Sequence, residues 1–328
     1  MTGDTQAAPR IRLVGRDNGA GLSRDLVLLA EALRETGATV DVRGLPHRGR
    51  IAAWLTALRG RLAGPRHDVN LMLERIRPEF LRAARRNVLV PNPEYFRAAD
   101  RAALPRLDAV WVKTRHAVPL FEALGARVRY IGFTSQDRRD ATVPRRHAFF
   151  HGPGRSGNKG TQALLALWAR HPEWPMLTVA WRRKRVDIGA LPANVTLHRE
   201  PLDDAAYRRL QNEHRFHLCP SQTEGYGHYI VEAMSCGAVV VTLDAPPMHE
   251  LVTPARGVLV AAHATGRQDL ATLYTPDEEA LRAAIERCIG MDAGEAERLG
   301  AAARAWFDVN RAAFPQRLRE ALRTLDPG

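Results

Sequence analysis

The length and composition of the chain are those of a folded protein of two domains. It has 328 residues, 45% of them hydrophobic and 26% charged, and this length exceeds that of one ordinary domain. Cys219, Cys236 and Cys288 are too few for a disulfide framework, which favours a reducing compartment. The sequence shows neither an apolar run of about 20 residues that could span a membrane nor a secretory signal. A cytoplasmic protein is expected.

The net charge of +12 indicates an affinity for anionic groups. Such a surplus attracts the phosphates of nucleotides, anionic lipids or nucleic acids, and it is also typical of proteins that are rich in arginine throughout. Nucleic-acid binding is not expected, because only Trp181 adjoins the basic run RRKR at 182–185, and such sites interleave several aromatic residues with the basic ones. Peripheral contact with an anionic membrane, on its inner face, stays open.

Strands and helices alternate over the first 135 residues. IRLVG at 11–15 predicts a buried strand, and the apolar spacing of 22–35 predicts a helix after a turn-rich segment. Apolar strands separated by helices indicate a parallel sheet that is covered on both faces. The further strands are predicted at ATVDVRG, VNLMLER, NVLVPN, AVWVKT and RVRYIGFTS, and a second helix at IAAWLTALRGRL.

The alternation stops at the polar segment 135–146 and then starts again. A first domain is therefore predicted over 1–140 and a second over 141–310, followed by a carboxy-terminal helix at 311–328. Two open α/β sheets in tandem favour a ligand site in a cleft between them, at the carboxyl ends of the strands. The second series has strands at HAFFHG, MLTVAW, NVTLHRE, FHLCPS, AVVVTLD and RGVLVAA, with helices between them and an almost wholly helical tail from Asp277.

The segment PSQTEGYGHYIVEAMSCG, from Pro220, is the most informative part of the sequence. A buried strand runs into a loop with two glycines, and a helix is predicted to start near Tyr226. The free N–H groups at such a helix start, with glycines that allow close approach, form a site for an anionic or polar ligand. Glu224 lies in the loop and Glu232 among apolar residues of the helix. A buried carboxylate needs a partner, and either a ligand hydroxyl or an arginine could serve Glu232.

This segment resembles the signature of the retaining GT-B glycosyltransferases of family 4. The pattern PS-x-x-EG-Y-G followed by EAM-x-x-G contains two glutamates separated by seven residues. The resemblance implies two Rossmann-like domains facing a cleft, and a last helix that returns to the first domain. It also implies that Glu224 binds hydroxyls of the donor sugar and that Glu232 binds the ribose of the nucleotide. The backbone of Gly225, Tyr226 and Gly227 would contact the donor.

The segment HGPGRSGNKG, at 151–160, predicts a second anion site at the start of a helix. In the family that it resembles, a Gly-Arg pair and a following Lys-Gly pair hold the nucleotide diphosphate. The resemblance implies that Arg155 and Lys159 stabilise the leaving diphosphate by electrostatic catalysis, without a metal and with no cofactor besides the nucleotide-sugar. Two solvated loop cations are the alternative, more so for Arg155, one of 45 arginines, than for Lys159, one of three lysines.

The first domain gives weaker signals. Gly19 and Gly21, in the loop after the first strand, occupy the position where such enzymes place a glycine loop near the phosphates. Asn92, Glu94 and Glu74 follow strands and are candidates for acceptor contacts, although each also suits a structural turn.

The sequence therefore predicts a metal-independent glycosyltransferase. The acceptor would be a saccharide or a lipid-linked saccharide, in polysaccharide, lipopolysaccharide or glycolipid synthesis. Another GT-B sugar enzyme, either a phosphorylase or an epimerase, and a non-catalytic binder of polyanions such as nucleic acid are the alternatives.

Overall fold

The computed structural model describes residues 8–16, 21–45, 58, 64–183 and 190–325. The chain divides into two compact units. The first comprises Met1–Phe133 together with Ala312–Gly328, and the second comprises Thr134–Arg311. Gly19 and most of the helix predicted at 51–62 lie outside the described residues.

The described residues of the first unit form a parallel sheet of six strands in the order β2-β1-β3-β4-β5-β6. The chain order reverses between β1 and β3, which makes the carboxyl ends of these two strands the switch point of the sheet. The elements are β1 Arg10–Arg16, α1 Gly21–Glu35, β2 Thr39–Leu45, β3 His67–Leu73, β4 Ala84–Val90, α2 Ala98–Ala103, β5 Ala109–Val112, α3 Ala117–Glu122 and β6 Val128–Tyr130.

Helix α1 forms because its apolar residues recur at helical spacing. Leu22, Leu26, Leu29 and Leu33 are all buried, so one stripe of the helix covers the sheet. The helix ends before Gly37, which has a φ of 92°, the left-handed conformation in which glycine commonly terminates helices.

The described residues of the second unit form another parallel sheet of six strands, in the order β12-β11-β10-β7-β8-β9. This is the strand order of the Rossmann fold, with its switch point between β7 and β10. The elements are β7 Arg146–Gly154, α4 Thr161–Arg170, β8 Leu177–Trp181, β9 Val195–His198, α5 Asp204–Glu213, β10 His214–Cys219, α6 His228–Ser235, β11 Val239–Leu243, α7 Met248–Leu251, β12 Val258–Val260, β13 Ala262–Gln268, β14 Ala271–Pro276, α8 Glu278–Ile289 and α9 Ala293–Arg323.

The end of α9 packs in the first unit. The ring of Phe314 lies 5.1 Å from that of Phe133, and Arg317 Nε donates to the carbonyl oxygen of Ile131 at 2.7 Å. Helix α9 therefore belongs to the second unit up to Arg311 and to the first unit from Ala312 onward.

The predicted fold class, two parallel α/β sheets with a helical tail, is confirmed. Two details differ from the sequence prediction. Helix α6 begins at His228, two residues after the Tyr226 near which the sequence predicted its start. Strands β13 and β14 form an antiparallel hairpin outside both six-stranded sheets, where the sequence analysis predicted no further strand before the helical tail.

Candidate active site

Two of the predicted site residues meet at the switch point of the second sheet. Lys159 lies in the loop after β7 and Glu224 in the loop after β10, and the Lys159 ammonium forms an ion pair with Oε1 of Glu224. Their side chains are only 15% and 9% exposed. In open α/β sheets, the loops on either side of the switch point separate and leave a crevice for ligands. The sequence therefore places its oppositely charged pair where this fold binds ligands.

A chain of hydroxyl groups orients Glu224. Ser221 Oγ donates to Glu224 Oε1 at 2.5 Å, so its oxygen accepts from the hydroxyl of Tyr229. The Lys159 ammonium also lies over the ring of Tyr229, 4.6 Å from its centroid, in a cation–π contact. Burial raises the pKa of the Tyr229 phenol well above its ordinary value. The contacts from Lys159 and Ser221 both fall on Oε1 of Glu224.

Two helices at this switch point each begin directly after a glycine. Gly160 precedes α4 and Gly227 precedes α6, with φ values of 70° and 104°. Within the described part of the chain, no side-chain hydrogen bond caps either helix. By contrast, Asp203 caps α5 and Asp277 caps α8. The first N–H groups of α4 and α6 are therefore suited to an anionic ligand.

Glu232 is buried inside α6 and is 2% exposed. Its Oε2 accepts a hydrogen bond from Gln211 Nε2 at 3.1 Å. The other end of that amide, Gln211 Oε1, accepts from the guanidinium of Arg138 at 2.9 Å. The sequence left a ligand hydroxyl or an arginine as the partner of Glu232. Arg138 is linked to Glu232 through the neutral amide of Gln211. A ribose contact of Glu232 stays a prediction.

The other predicted donor residues are distributed around this pair. Arg155 lies exposed in the same loop as Lys159, and Gly225 is buried in the loop of Glu224. The side chain of Tyr226 is buried and its ring packs against that of His228, so only its backbone remains a candidate for donor contact. In the first unit, Gly21 is the first residue of α1, whereas Gly19 lies outside the described residues.

His151 is a supporting residue that the sequence analysis missed. It is fully buried on β7, and burial lowers its pKa to about 4, so the imidazole is neutral at pH 7. Its Nδ1 lies 2.7 Å from the carbonyl oxygen of Leu218, which can only accept, so Nδ1 carries the proton. Nε2 then accepts from the hydroxyl of Thr161 at 2.9 Å. The ring therefore ties the start of α4 to β10, directly beneath the switch point.

The first unit also concentrates polar groups at the carboxyl ends of its strands. Lys113, directly after β5, forms a buried ion pair with Asp25 of α1 at 2.6 Å and donates to Asn92 Oδ1 at 2.9 Å. Asn92 in turn hydrogen-bonds Glu74. Burial raises the pKa of the Glu74 carboxyl, and its backbone has a φ of 63°, a left-handed conformation that costs a non-glycine residue about 1 kcal/mol.

The three residues predicted for the acceptor side thus lie at the carboxyl ends of two neighbouring strands of the first sheet. Glu74 follows β3 at the switch point, and Asn92 and Glu94 follow β4, with Glu94 buried in a short turn of 3-10 helix. Lys113 and Asp25 were not predicted. Lys113 could have been noticed because it is one of three lysines and directly follows a strand.

Comparison with known structures identifies the class of fold. HepE from Anabaena, in complex with UDP and glucose, superposes with a TM-score of 0.69 at 16% identity, over 96% of this chain and all of that one. Sucrose-phosphate synthase from Thermosynechococcus elongatus gives 0.71 at 18% identity, over 97% of this chain and 99% of that one. At these identities the likeness concerns the fold alone, which is that of the GT-B glycosyltransferases.

Sequence comparison narrows the class for the second unit. Residues 191–306, which include Glu224 and Glu232, match the family described as glycosyl transferases group 1. A GDP-mannose:cellobiosyl-diphosphopolyprenol alpha-mannosyltransferase of Xanthomonas oryzae pv. oryzae is 34% identical over 134 residues, 37% of this chain and 34% of that protein. The protein of the same name from Xanthomonas campestris is 32% identical over 147 residues, 39% of this chain and 38% of that one. The matches thus span little more than a third of these relatives.

No helix in the described ranges is both long and apolar enough to cross a membrane. In the same residues, no three side chains of His, Cys, Asp or Glu are grouped as metal ligands would be.

Proposed function

We propose that the protein is a retaining glycosyltransferase of the family 4 type, which moves a sugar from a nucleotide-diphosphate sugar to an acceptor hydroxyl without a metal. The observation that carries this proposal is the ion pair of Lys159 and Glu224 at the switch point of the second sheet. Its support comes from the GT-B fold and from the match of residues 191–306 to group 1 glycosyltransferases.

The residues around this pair fit a nucleotide-sugar. A diphosphate needs cations and N–H donors, which Lys159 and the first turns of α4 and α6 supply. Arg155, in the same loop, adds a second cation. Gly160 and Gly227 carry no side chain, which lets Pro220 and Leu251 pack closely against the starts of α4 and α6. Oε2 of Glu224 accepts from a hydroxyl of the sugar, and Glu232 accepts from the ribose.

In the proposed reaction, the bond between the anomeric carbon and the diphosphate oxygen breaks, and the electron pair leaves with the diphosphate. The acceptor oxygen bonds to the same face of the anomeric carbon, and its proton passes to the departing diphosphate oxygen. Lys159 and the helix N-termini stabilise the charge that develops on this oxygen, which is where such groups contribute most to rate. The scheme requires no enzymic nucleophile.

For the donor and the acceptor, we take the named relatives as the guide. The mannosyltransferases of Xanthomonas are named for GDP-mannose and a diphosphopolyprenol-linked saccharide, and the HepE structure contains UDP and glucose. GDP-mannose and UDP-glucose are therefore the first donors to test, with a lipid-linked saccharide as acceptor. We assign the acceptor to Glu74, Asn92 and Glu94 of the first unit. The reaction would take place in the cytoplasm, at the inner face of the membrane, where lipid-linked saccharides are extended.

The test is a transfer assay with a panel of labelled nucleotide-sugars and a diphosphopolyprenol-linked saccharide, in buffer with and without EDTA. We expect one donor to give a glycosylated lipid, with the anomeric configuration of the donor as read by NMR, and an equal rate in EDTA. Each nucleotide-sugar is also tested for thermal stabilisation, because a ligand that binds only the folded state raises its stability. If none of the panel stabilises the protein or is transferred, the proposed function is wrong.

A further inference from the structure

The β13–β14 hairpin was not predicted from the sequence and lies outside the six-stranded sheets. Its strands pair antiparallel, from Ala262 with Pro276 to Gln268 with Ala271. The middle of β13 is exposed, whereas Leu270 and Ala271, at the turn, are buried. Isolated two-stranded hairpins are marginally stable in water. The buried turn therefore indicates that the far end of this hairpin is held against the rest of the unit.

Three hydrogen bonds in series join the hairpin to the two loops of the candidate site. Tyr274 N donates to the carbonyl oxygen of Gln222 at 2.8 Å, and Gln222 N donates to that of Asn158 at 2.9 Å. Asn158 Nδ2 then donates to Gln268 Oε1 at 2.9 Å. The series starts on β14 and ends on β13. The hairpin thus holds the loop after β7 and the loop after β10 together.

Each loop residue in this series is close in sequence to one member of the charged pair. Asn158 directly precedes Lys159, and Gln222 lies two residues before Glu224. A shift of either loop would separate the ammonium from the carboxylate and change the direction in which both present their hydrogen bonds. Groups that act on developing charge must be held to within about 0.5 Å of their productive positions.

We propose that the hairpin Ala262–Pro276 is a positioning element for nucleoside-diphosphate binding, which fixes Lys159 and Glu224 through Asn158, Gln222 and Gln268. The proposal rests on the proposed function, because it assigns to the same site the part of the chain that orders it. Gln268 is a positioning residue that acts through Asn158, and the ligand class is a nucleoside diphosphate, free or linked to sugar.

The experiment measures the dissociation constants of GDP and UDP by calorimetry for the full chain, for four variants of Asn158 and Gln268, and for one control variant. Gln268→Ala and Asn158→Ala each remove the side-chain bond, and we expect each to weaken binding of the preferred diphosphate about three- to tenfold, the loss that one hydrogen bond supports. The double variant is expected to lose no more than either single one, since both remove the same interaction. The exchange variant, with Asn158→Gln and Gln268→Asn together, keeps one asparagine and one glutamine facing each other, so their combined side-chain length is unchanged. We expect it to restore most of the affinity that the alanine variants lose.

Thr265→Ala is the matched control. Thr265 lies on the same strand and bonds Thr275 across the hairpin at 3.0 Å, but it is not in the series that reaches the loops. Thermal unfolding of each variant establishes that it is folded at the temperature of the binding measurement.

The possible outcomes separate this inference from the proposed function. Equal affinities of Gln268→Ala, Thr265→Ala and the unaltered protein would overturn the inference alone, and so would additive losses in the double variant. Failure of the unaltered protein to bind either diphosphate, or any nucleotide-sugar of the transfer panel, would overturn the proposed function, and the inference with it.

Discussion

The ammonium of Lys159 contacts Oε1 of Glu224, 65 residues further along the chain, and so joins the two loops that flank the switch point of the second sheet. Neither charge is free in water, because both side chains are mostly buried. Breaking such a pair leaves an uncompensated charge. The pair therefore orders the two loops, and in the proposed function it places Lys159 to bind the diphosphate and Glu224 to bind the sugar.

Replacement of either partner tests the assignment directly. We expect Lys159→Ala to lower kcat for sugar transfer by about 100-fold or more, the usual effect of removing a group that stabilises transition-state charge. Glu224→Gln replaces the charged acceptor for the sugar hydroxyl with a neutral one, and we expect it to lower kcat by a similar factor. Arg155→Ala is the comparison within the same loop, and its exposed side chain predicts a smaller loss. Initial rates at saturating donor measure the effect. Variants of Lys159 and Glu224 that keep rates within threefold of the unaltered protein would show that the chemistry lies elsewhere.

Gly160 offers a test of close backbone approach. Its φ is 70°, and a Cβ added there would lie 2.7 Å from the carbonyl oxygen of Pro220. Gly154, at the other end of the same loop, has a φ of 62°, with nothing within 4 Å of an added Cβ. Both alanine variants suffer the left-handed strain of about 1 kcal/mol, but only Gly160→Ala forces α4 and the strand end at Pro220 apart.

We therefore expect Gly160→Ala to lose both stability and diphosphate binding, and Gly154→Ala to lose about 1 kcal/mol of stability with little change in binding. Urea unfolding and calorimetry measure the two effects. Similar losses in the two variants would show that strain, and not the contact with Pro220, limits the site.

The sequence was sufficient for the parts of this fold that depend on local pattern. Buried apolar strands between amphipathic helices predicted two parallel sheets, and the glycines beside Glu224 and Lys159 predicted the helix starts. The order of the strands is not a local property, so the meeting of Lys159 with Glu224 at a switch point required the structure. The same holds for Lys113 and Asp25, which lie 88 residues apart.

The hairpin was missed for a different reason. Residues such as His263, Thr265 and Arg267 are exposed on β13, so the segment lacks the apolar alternation that marks a strand with one buried face. Its structure depends on the burial of Leu270 and Ala271 at its turn and on the hydrogen bond from Tyr274 N to the distant Gln222. No pattern within the segment itself carries that information.

Buried histidines predict an acid-sensitive fold. Burial lowers the pKa of His151 to about 4 and that of His217 to about 3, against about 6.5 in an unfolded chain. As the pH falls from about 6.5 to about 4, the unfolded chain binds protons at these rings while the folded chain does not. The free energy of unfolding must therefore decrease over this range, by up to about 1.4 kcal/mol per pH unit for each ring.

Other groups modify this slope in known directions. Burial also lowers the pKa of His67 and His214, which adds to the acid sensitivity. The raised pKa of Glu74 opposes it, since the folded state then holds that proton more tightly. Urea midpoints between pH 7 and pH 5 measure the slope, and His151→Gln should reduce it by about one proton. An unchanged slope in that variant would contradict the assignment of a neutral, buried His151.

The ion pair of Lys113 and Asp25 predicts a strong dependence of the first unit on a single lysine. Their side chains are 3% and 4% exposed, so Lys113→Met leaves the Asp25 carboxylate buried without its ammonium, which typically costs about 3–5 kcal/mol. Lys113→Met combined with Asp25→Asn removes both charges and should recover much of that loss. Arg85→Met is the control, since the pair of Arg85 with Asp68 is 75% and 42% exposed and should contribute less than about 1 kcal/mol. Urea unfolding of the unaltered protein and the three variants measures these differences in the free energy of unfolding. A loss of stability in Lys113→Met no larger than that in Arg85→Met would show that the buried pair does not stabilise the first sheet.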